Sequence, residues 1–276
     1  MLSPPDPKHD PHLIPTLMDP INRYLTDWRL YLTIRASANI TILAVWRCCM
    51  DLTLGITFHT FSVIGRCKDT GALGVGITTR ALAVASRCPF VRANVGAVAT
   101  QASTDPRLGH LAINLLQNGF SAHKTLQEVI SSDPHIEHRQ LGIIDRDGNA
   151  AARTGNENRD WAGHITGNNY VAMGNVLLGS HVVEAMAEAF EQSSDELLEE
   201  RLLRSIEAGR DAGGQHGGQR SAGLVVYDRE VFPRTDLRVD LHKEPVRELR
   251  KIYTAYVPLM DYFTLRAIDP TIPSPE

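Results

Sequence analysis

The sequence predicts an α+β layered sandwich, in which groups of mostly antiparallel strands alternate with consecutive pairs of helices. Three observations carry that prediction. Alternating apolar runs meet at turn residues in two places, Asp69-Thr70-Gly71 and Arg146-Asp147-Gly148-Asn149, as β-hairpins do. Helical periodicity comes twice in adjacent pairs, over 105–131 and over 182–208. The resulting order of elements favours this class over a doubly wound parallel sheet, where strands and helices would alternate singly.

The first hairpin runs from Thr60 to Arg80. Phe61, Val63 and Arg66 frame its first strand, and Leu73, Val75 and Ile77 resume the alternation after the turn. Gly74 and Gly76 leave one face of the second strand nearly bare, which suits close approach of another backbone or a ligand. Hydroxyls and a guanidinium, Thr60, Thr79 and Arg80, gather at neighbouring ends of the two strands.

Ala93 to Thr100 reads as a small-residue strand buried on both faces. A helix follows, with Asp105 as N-cap, Pro106 at its first position, an apolar face of Leu108, Leu111, Leu115 and Leu116, and Gly119 ending it. Ser121 caps a second helix to about Ser131, with Leu126, Val129 and Ile130 inward. Gln140–Asp145 and Ala151–Gly155 form the second hairpin, and Tyr170–Leu177 a further strand. Helices are expected over Val182–Gln192 and Ser194–Ala208, the latter closed by Gly209. Gly213, Gly214, Gly217 and Gly218 mark a flexible loop. Strands at Ser221–Tyr227 and Leu237–Leu241 precede a terminal helix that Pro245 opens and that runs to about Tyr256.

The chain divides into an N-terminal extension, 1–56, and a single domain with its C-terminal helix, 57–276. The extension begins rich in Pro, Asp and His, a composition ill suited to a packed core. Arg23, Arg29, Arg35 and Arg47 break up its later apolar residues, so no run reaches the roughly 18 that a membrane span requires. The apolar stretch Ile40–Trp46 lacks the position and the cleavage residues of a signal peptide, and the acidic residues around it do not suit a transit peptide. The extension reads as a linker, a propeptide or a stretch ahead of the true start, with Met50 as the alternative start. A cytoplasmic location is expected, with export left open.

A net charge of −4 and the lack of a basic stripe argue against nucleic acid as partner. Cys48, Cys49, Cys67 and Cys88 have no metal-like spacing and read as free thiols in a reducing compartment. No phosphate-binding glycine loop, His-Glu-x-x-His or Gly-x-Ser-x-Gly occurs, and His135 and His138 sit in a loop after Pro134. Neither a metal nor an organic cofactor is expected. What remains for chemistry is a set of hydroxyls and amides around the small-residue strands: Thr60, Ser62, Thr79, Arg80, Thr100, Gln101, Asn175 and Ser221.

Several blocks carry a resemblance. Thr60-Phe-Ser-Val-Ile-Gly-Arg66, Val95-Gly-Ala-Val-Ala-Thr-Gln-Ala102, Glu137-His-Arg-Gln-Leu-Gly142, Asp160-Trp-Ala-Gly-His164, Gly174-Asn175 and the Ala212 to Ala222 loop-and-strand resemble domain of unknown function family 1028. The similarity runs from about Thr60 to Leu249. That family looks like the N-terminal-nucleophile (Ntn) hydrolases, so the resemblance implies a four-layer αββα sandwich. It also implies a nucleophile at Thr60, whose own α-amine would act as base, because a threonine hydroxyl is a weak nucleophile without a base in reach.

By the same resemblance Asn175 would donate to an oxyanion, Arg80 would hold a substrate carboxylate, Gln101 would position substrate, and Asp160 would line the site or brace a loop. The chain departs from the family where Thr60 follows His59 and a long extension, since an amide nitrogen is not a base. It departs again at Gln215-His-Gly-Gly-Gln-Arg220. The expected function is hydrolysis of an amide bond in a small-molecule substrate, small or cell-wall-related. The alternative is a non-catalytic binding or structural protein that keeps the sandwich. Self-association into a homo-oligomer is left open.

Overall fold

β1 (Thr60–Arg66) and β2 (Leu73–Thr79) pair antiparallel, in register from Thr60↔Thr79 to Arg66↔Leu73. The computed structural model to which they belong describes residues 59–275, so the readings of the extension, Met50, Cys48 and Cys49 lie outside the described residues. The hairpin is the middle of a six-stranded sheet. With β7 (Gly163–Gly167), β8 (Tyr170–Asn175), β9 (Ser221–Tyr227) and β10 (Thr235–Val239), its order is β10-β9-β2-β1-β8-β7. A four-stranded sheet holds β3 (Pro89–Arg92), β4 (Gly96–Ala102), β5 (Arg139–Asp145) and β6 (Ala150–Thr154) in that order. Every pairing in both sheets is antiparallel. The mixed α/β architecture with antiparallel sheets agrees with the expected class.

The helices bring the apolar stripes that the sheets need. α1 (Pro106–Gln117) starts where Asp105 accepts the Arg107 N–H at 3.0 Å, and α2 (Ala122–Ser132) where Ser121 accepts the Lys124 N–H at 3.3 Å. Their inner residues, among them Leu108, Leu116 and Val129, pack with Val98, Leu141 and Ile143 of the smaller sheet. α3 (Ser180–Gln192), α4 (Leu198–Asp211) and α5 (Pro245–Tyr256) pack Met186, Phe190, Leu202, Ile206 and Leu249 against Phe61, Val63 and Leu224 of the larger one. Ile64, Val75, Ile77 and Met173 of the larger sheet meet Ala97, Ala99 and Ile144 of the smaller in a further core. Each large apolar side chain so buried stabilises by about 1.5–3 kcal/mol.

The bare face of β2 proves to be a helix seat. A Cβ at Gly76 would come within 3.0 Å of the Leu202 carbonyl oxygen, and one at Gly74 within 2.8 Å of the Leu202 side chain. What approaches closely is therefore the α4 backbone. Gly209 corrects another expectation, because it lies inside α4 instead of closing it. A Cβ there would meet Met186 at 2.7 Å and Phe61 at 3.2 Å, so the glycine is set by packing and not by helix termination. The same helix starts at Leu198 rather than Ser194, because the Glu196 N–H turns back to the Ser193 carbonyl at 3.0 Å.

Other differences are shifts and omissions. The small-residue strand starts at Gly96, after a turn with Asn94 at φ 59°, and the last strand is Thr235–Val239. The edge strands β3 and β7 were not expected, nor was α6 (Met260–Ile268), which follows a 3₁₀ turn at Val257–Leu259. Among the described residues no helix is long and apolar enough to cross a membrane.

Candidate active site at the end of the central strands

Strand register assembles the site. Thr60, the first residue of β1, stands opposite Thr79 on β2 and Asn175 on β8, and Thr79 stands opposite Ser221 on β9. Residues directly opposite in a sheet share a face. Asn175, Thr60, Thr79 and Ser221 thus form a polar row across four adjacent strands. Ser62, two residues along β1 from Thr60, lies on the same face and reaches Gln101 of the other sheet. All five are buried, Thr60 at 4% exposure and Asn175 at 1%.

The protons of the row can be assigned from its obligate acceptors. Thr79 Oγ1 lies 2.6 Å from the His59 carbonyl oxygen, which can only accept, so Thr79 donates there. Thr60 Oγ1 lies 2.9 Å from Thr79 Oγ1. Thr79 has already spent its single proton, so the Thr60 hydroxyl donates to Thr79. The nucleophile candidate, a second threonine and the carbonyl of the preceding peptide bond are joined in one line.

Next to it lies an amide network centred on Gln140. Gln140 Nε2 faces the Gly174 carbonyl at 2.8 Å and the Gly163 carbonyl at 3.0 Å, and also Thr154 Oγ1 at 2.9 Å. Two backbone carbonyls fix this end as the N–H₂. Gln140 Oε1 then accepts from Gln101 Nε2 at 2.7 Å and from Asn175 Nδ2 at 3.1 Å. Gln101 Oε1 in turn accepts the Ser62 hydroxyl proton. Among the described residues, Asn175 Oδ1 is left buried without a partner.

The loop between α4 and β9 covers the strand ends. Gly213, Gly214, Gly217 and Gly218 all have positive φ, from 62° to 107°, a conformation glycine adopts without strain. Gln215 bridges to Leu177, the His216 N–H donates to the Val176 carbonyl at 3.2 Å, and the Arg220 N–H to the Thr79 carbonyl at 2.7 Å. The His59 ring lies beneath it and donates Nδ1–H to the His216 carbonyl. Burial pushes the His59 imidazole below its ordinary value, and the positive charges of Arg80, His216 and Arg159 push the same way against that hydrogen bond.

The expected site residues fall into two groups. Thr60 and Asn175 stand together in register, and Arg80 follows Thr79 as an exposed side chain lying against Gly217, where a Cβ would collide with its guanidinium. Asp160 is exposed beside the β8 end, where Trp161 and Leu177 exchange backbone hydrogen bonds at 3.4 and 3.0 Å. Gln101 is wholly buried with both ends of its amide engaged, so its place is in the support of the row. Thr100 lies on the opposite face of β4 and contributes nothing to it. Gln140 was missed; its only sequence signal was membership of the Glu137–Gly142 block. Among the described residues no group of three or more His, Cys, Asp or Glu could hold a metal ion.

A family model described as a family of unknown function, DUF1028, matches residues 60–249. A crystal structure from that family, protein SPO2555 from Silicibacter pomeroyi, is similar at 33% identity over 72% of this chain and 89% of its own, with a TM-score of 0.67. Anbu, an ancestral β-subunit from Yersinia bercovieri, aligns with 78% of this chain and 99% of its own, but at 13% identity and a TM-score of 0.36 the likeness is too slight to argue from. No curated protein matches the chain.

Proposed function

The chain belongs to that family of unknown function, DUF1028, and from that premise we propose that it is an amide-bond hydrolase of Ntn type, with Thr60 as nucleophile. We read its two sheets and flanking helices as the four layers of an αββα sandwich. The observation that carries the proposal is the line from the Thr60 hydroxyl through Thr79 to the His59 carbonyl oxygen. Two hydroxyls stand beside the one peptide bond whose breakage would give Thr60 a free amine, and we read them as a proton relay.

In that breakage Thr60 Oγ1 attacks the His59 carbonyl carbon, and its proton passes through Thr79 to the carbonyl oxygen. The C–N bond then breaks, the nitrogen leaves as an amine carrying the proton, and His59 is held as an ester on Thr60. Water hydrolyses the ester, giving a His59 carboxylate and restoring the hydroxyl. The freed amine, with an ordinary pKa of about 7.7–8.0, is then poised to act as base near neutral pH.

On a substrate amide the amine takes the Thr60 proton as the oxygen attacks, and returns it to the leaving nitrogen as the C–N bond breaks. An acyl-enzyme ester remains, and water cleaves it with the same amine as base. Arg80 is offered to a carboxylate of a small-molecule substrate.

The second reading is a binding or structural protein that never cuts the bond. It is favoured by His59, whose ring and carbonyl are both hydrogen-bonded in the intact chain. Intact mass and N-terminal sequencing decide between them, followed by an amide-library screen of wild type against Thr60→Ala. A mature chain beginning at Thr60, with turnover lost in Thr60→Ala, is expected. A stable chain that keeps His59 and shows no Thr60-dependent turnover would sink the hydrolase.

A further inference from the structure

We propose that Asn175 Oδ1 is the acceptor that holds the free α-amine of Thr60, and that Gln140 is the positioning residue that turns it to do so. The inference rests on the hydrolase reading above and gives Asn175 a role opposite to oxyanion donation.

The argument starts from what cannot be reversed. The Gly163 and Gly174 carbonyls accept only, so Gln140 must present its N–H₂ to them and its Oε1 to Asn175. Asn175 must therefore turn its own N–H₂ toward Gln140, and its Oδ1 points elsewhere. That oxygen is buried on a residue 1% exposed and has no partner among the described residues. Leaving a buried acceptor unpaired is unfavourable, and such an atom asks for a donor.

Among the described residues of the intact chain there is none, whereas the cut chain creates one on the residue directly in register. Thr60 stands opposite Asn175 on the same face, and breaking the His59–Thr60 bond turns its one amide N–H into an amine with two or three. An acceptor that occupies an N–H orients the amine and leaves its lone pair for the Thr60 hydroxyl. The network behind Asn175 has no slack, because Gln101 and Ser62 take up the remaining positions.

The test uses the full-length chain with a protease site placed directly before Thr60 and cut in solution. Threonine labelled with ¹³C reports the Thr60 amine titration through its Cα and Cβ shifts. Asn175→Asp puts a carboxylate where the amide oxygen lies and is expected to raise the midpoint by about one to three pH units, as an opposite charge at hydrogen-bonding distance does. Gln140→Met is expected to lower the midpoint, and to have no further effect in an Asn175→Ala background, a coupling that a merely structural role would not produce.

Arg80, Arg159 and His216, the charged or titratable groups left around that end once the chain is cut before Thr60, are the same in every variant, so differences isolate the Asn175 contact. An Asn175→Asp midpoint equal to that of wild type, or additive effects of the other two variants, would overturn the proposal. Where a variant does not fold, a crystal structure of the cut wild type decides: Oδ1 within about 3.2 Å of the Thr60 nitrogen is expected, and a separation beyond about 4 Å overturns it. Titration does not depend on turnover. A contact without hydrolysis removes only the enzyme reading, and hydrolysis without the contact removes only this inference.

Discussion

Thr79 Oγ1 stands 2.9 Å from Thr60 Oγ1 and passes its own proton 2.6 Å onward to the His59 carbonyl. In the proposed cleavage, Thr79 would carry the Thr60 proton to the oxygen of the His59–Thr60 bond. Thr79→Val keeps the shape and removes the relay. Release of the extension from Thr60 is expected to slow by about 10²-fold or more, the scale of a positioned proton-transfer group, while Thr79→Ser retains most of the rate. Time-resolved intact mass measures both, and equal rates for Val and wild type would remove Thr79 from the mechanism.

Ser62 tests the amide network apart from chemistry. Its hydroxyl proton goes to Gln101 Oε1, and both residues are wholly buried. Ser62→Ala leaves that oxygen unpaired and is expected to cost about 1–3 kcal/mol in urea unfolding. No loss of stability would mean that Gln101 finds another donor.

Gly74 tests the packing of β2. A Cβ there would lie 2.7 Å from the Val225 carbonyl oxygen and 2.8 Å from Leu202. One of these partners is backbone of the neighbouring strand and cannot rotate away. Gly74→Ala is expected to destabilise by about 1–3 kcal/mol, the usual cost of overpacking, read again by urea unfolding.

The elements that alternate cleanly or carry caps were legible in the sequence. β1, β2, β5, β6, α1 and α2 fall where apolar spacing, Asp-Gly and Asp-Pro place them. The edge strands β3 and β7 were not, since an edge strand pairs on one side only and needs little apolar alternation. α6 was hidden behind Pro258, a residue that commonly stops a helix and here sits in a 3₁₀ turn leading into one. Gly209 misled for a similar reason, because a glycine required by a close contact looks like one required by a helix end.

The site was legible as a set of residue types and illegible as an arrangement. Nothing in the sequence says that Thr60, Thr79, Asn175 and Ser221 share one row, since that depends on register across four strands distant in the chain. Gln140 went unremarked for a different reason. A glutamine in a strand is unremarked until two backbone carbonyls from elsewhere in the fold, those of Gly163 and Gly174, are found fixed on its amide.

His59 gives a pH dependence whose sign follows from burial. Its imidazole is held below the ordinary value of 6.5, so the folded chain keeps it neutral where the unfolded chain takes up a proton. Stability is full above about pH 6.5 and is lost as pH falls from there toward the lowered value. In the uncut chain, melting temperature is expected to drop more between pH 7.5 and 5.5 in wild type than in His59→Gln. Parallel drops would show that the ring is not desolvated as its place under the loop implies.

Arg80 tests the proposed substrate contact apart from chemistry. It follows Thr79 at the end of β2, exposed and lying against Gly217, one residue from the row that holds Thr60. A guanidinium so placed can grip a carboxylate bidentately without touching the scissile bond. Arg80→Met is therefore expected to raise KM for a carboxylate-bearing amide by about 10-fold or more, the effect of losing one charge-assisted contact of about 1.5–3 kcal/mol, with kcat changed far less. Arg80→Lys keeps the charge but not the fork and should fall between the two. An amide without a carboxylate should show no difference among the three. If kcat rather than KM falls for both kinds of substrate, Arg80 supports the Thr60 end of the sheet and does not bind substrate.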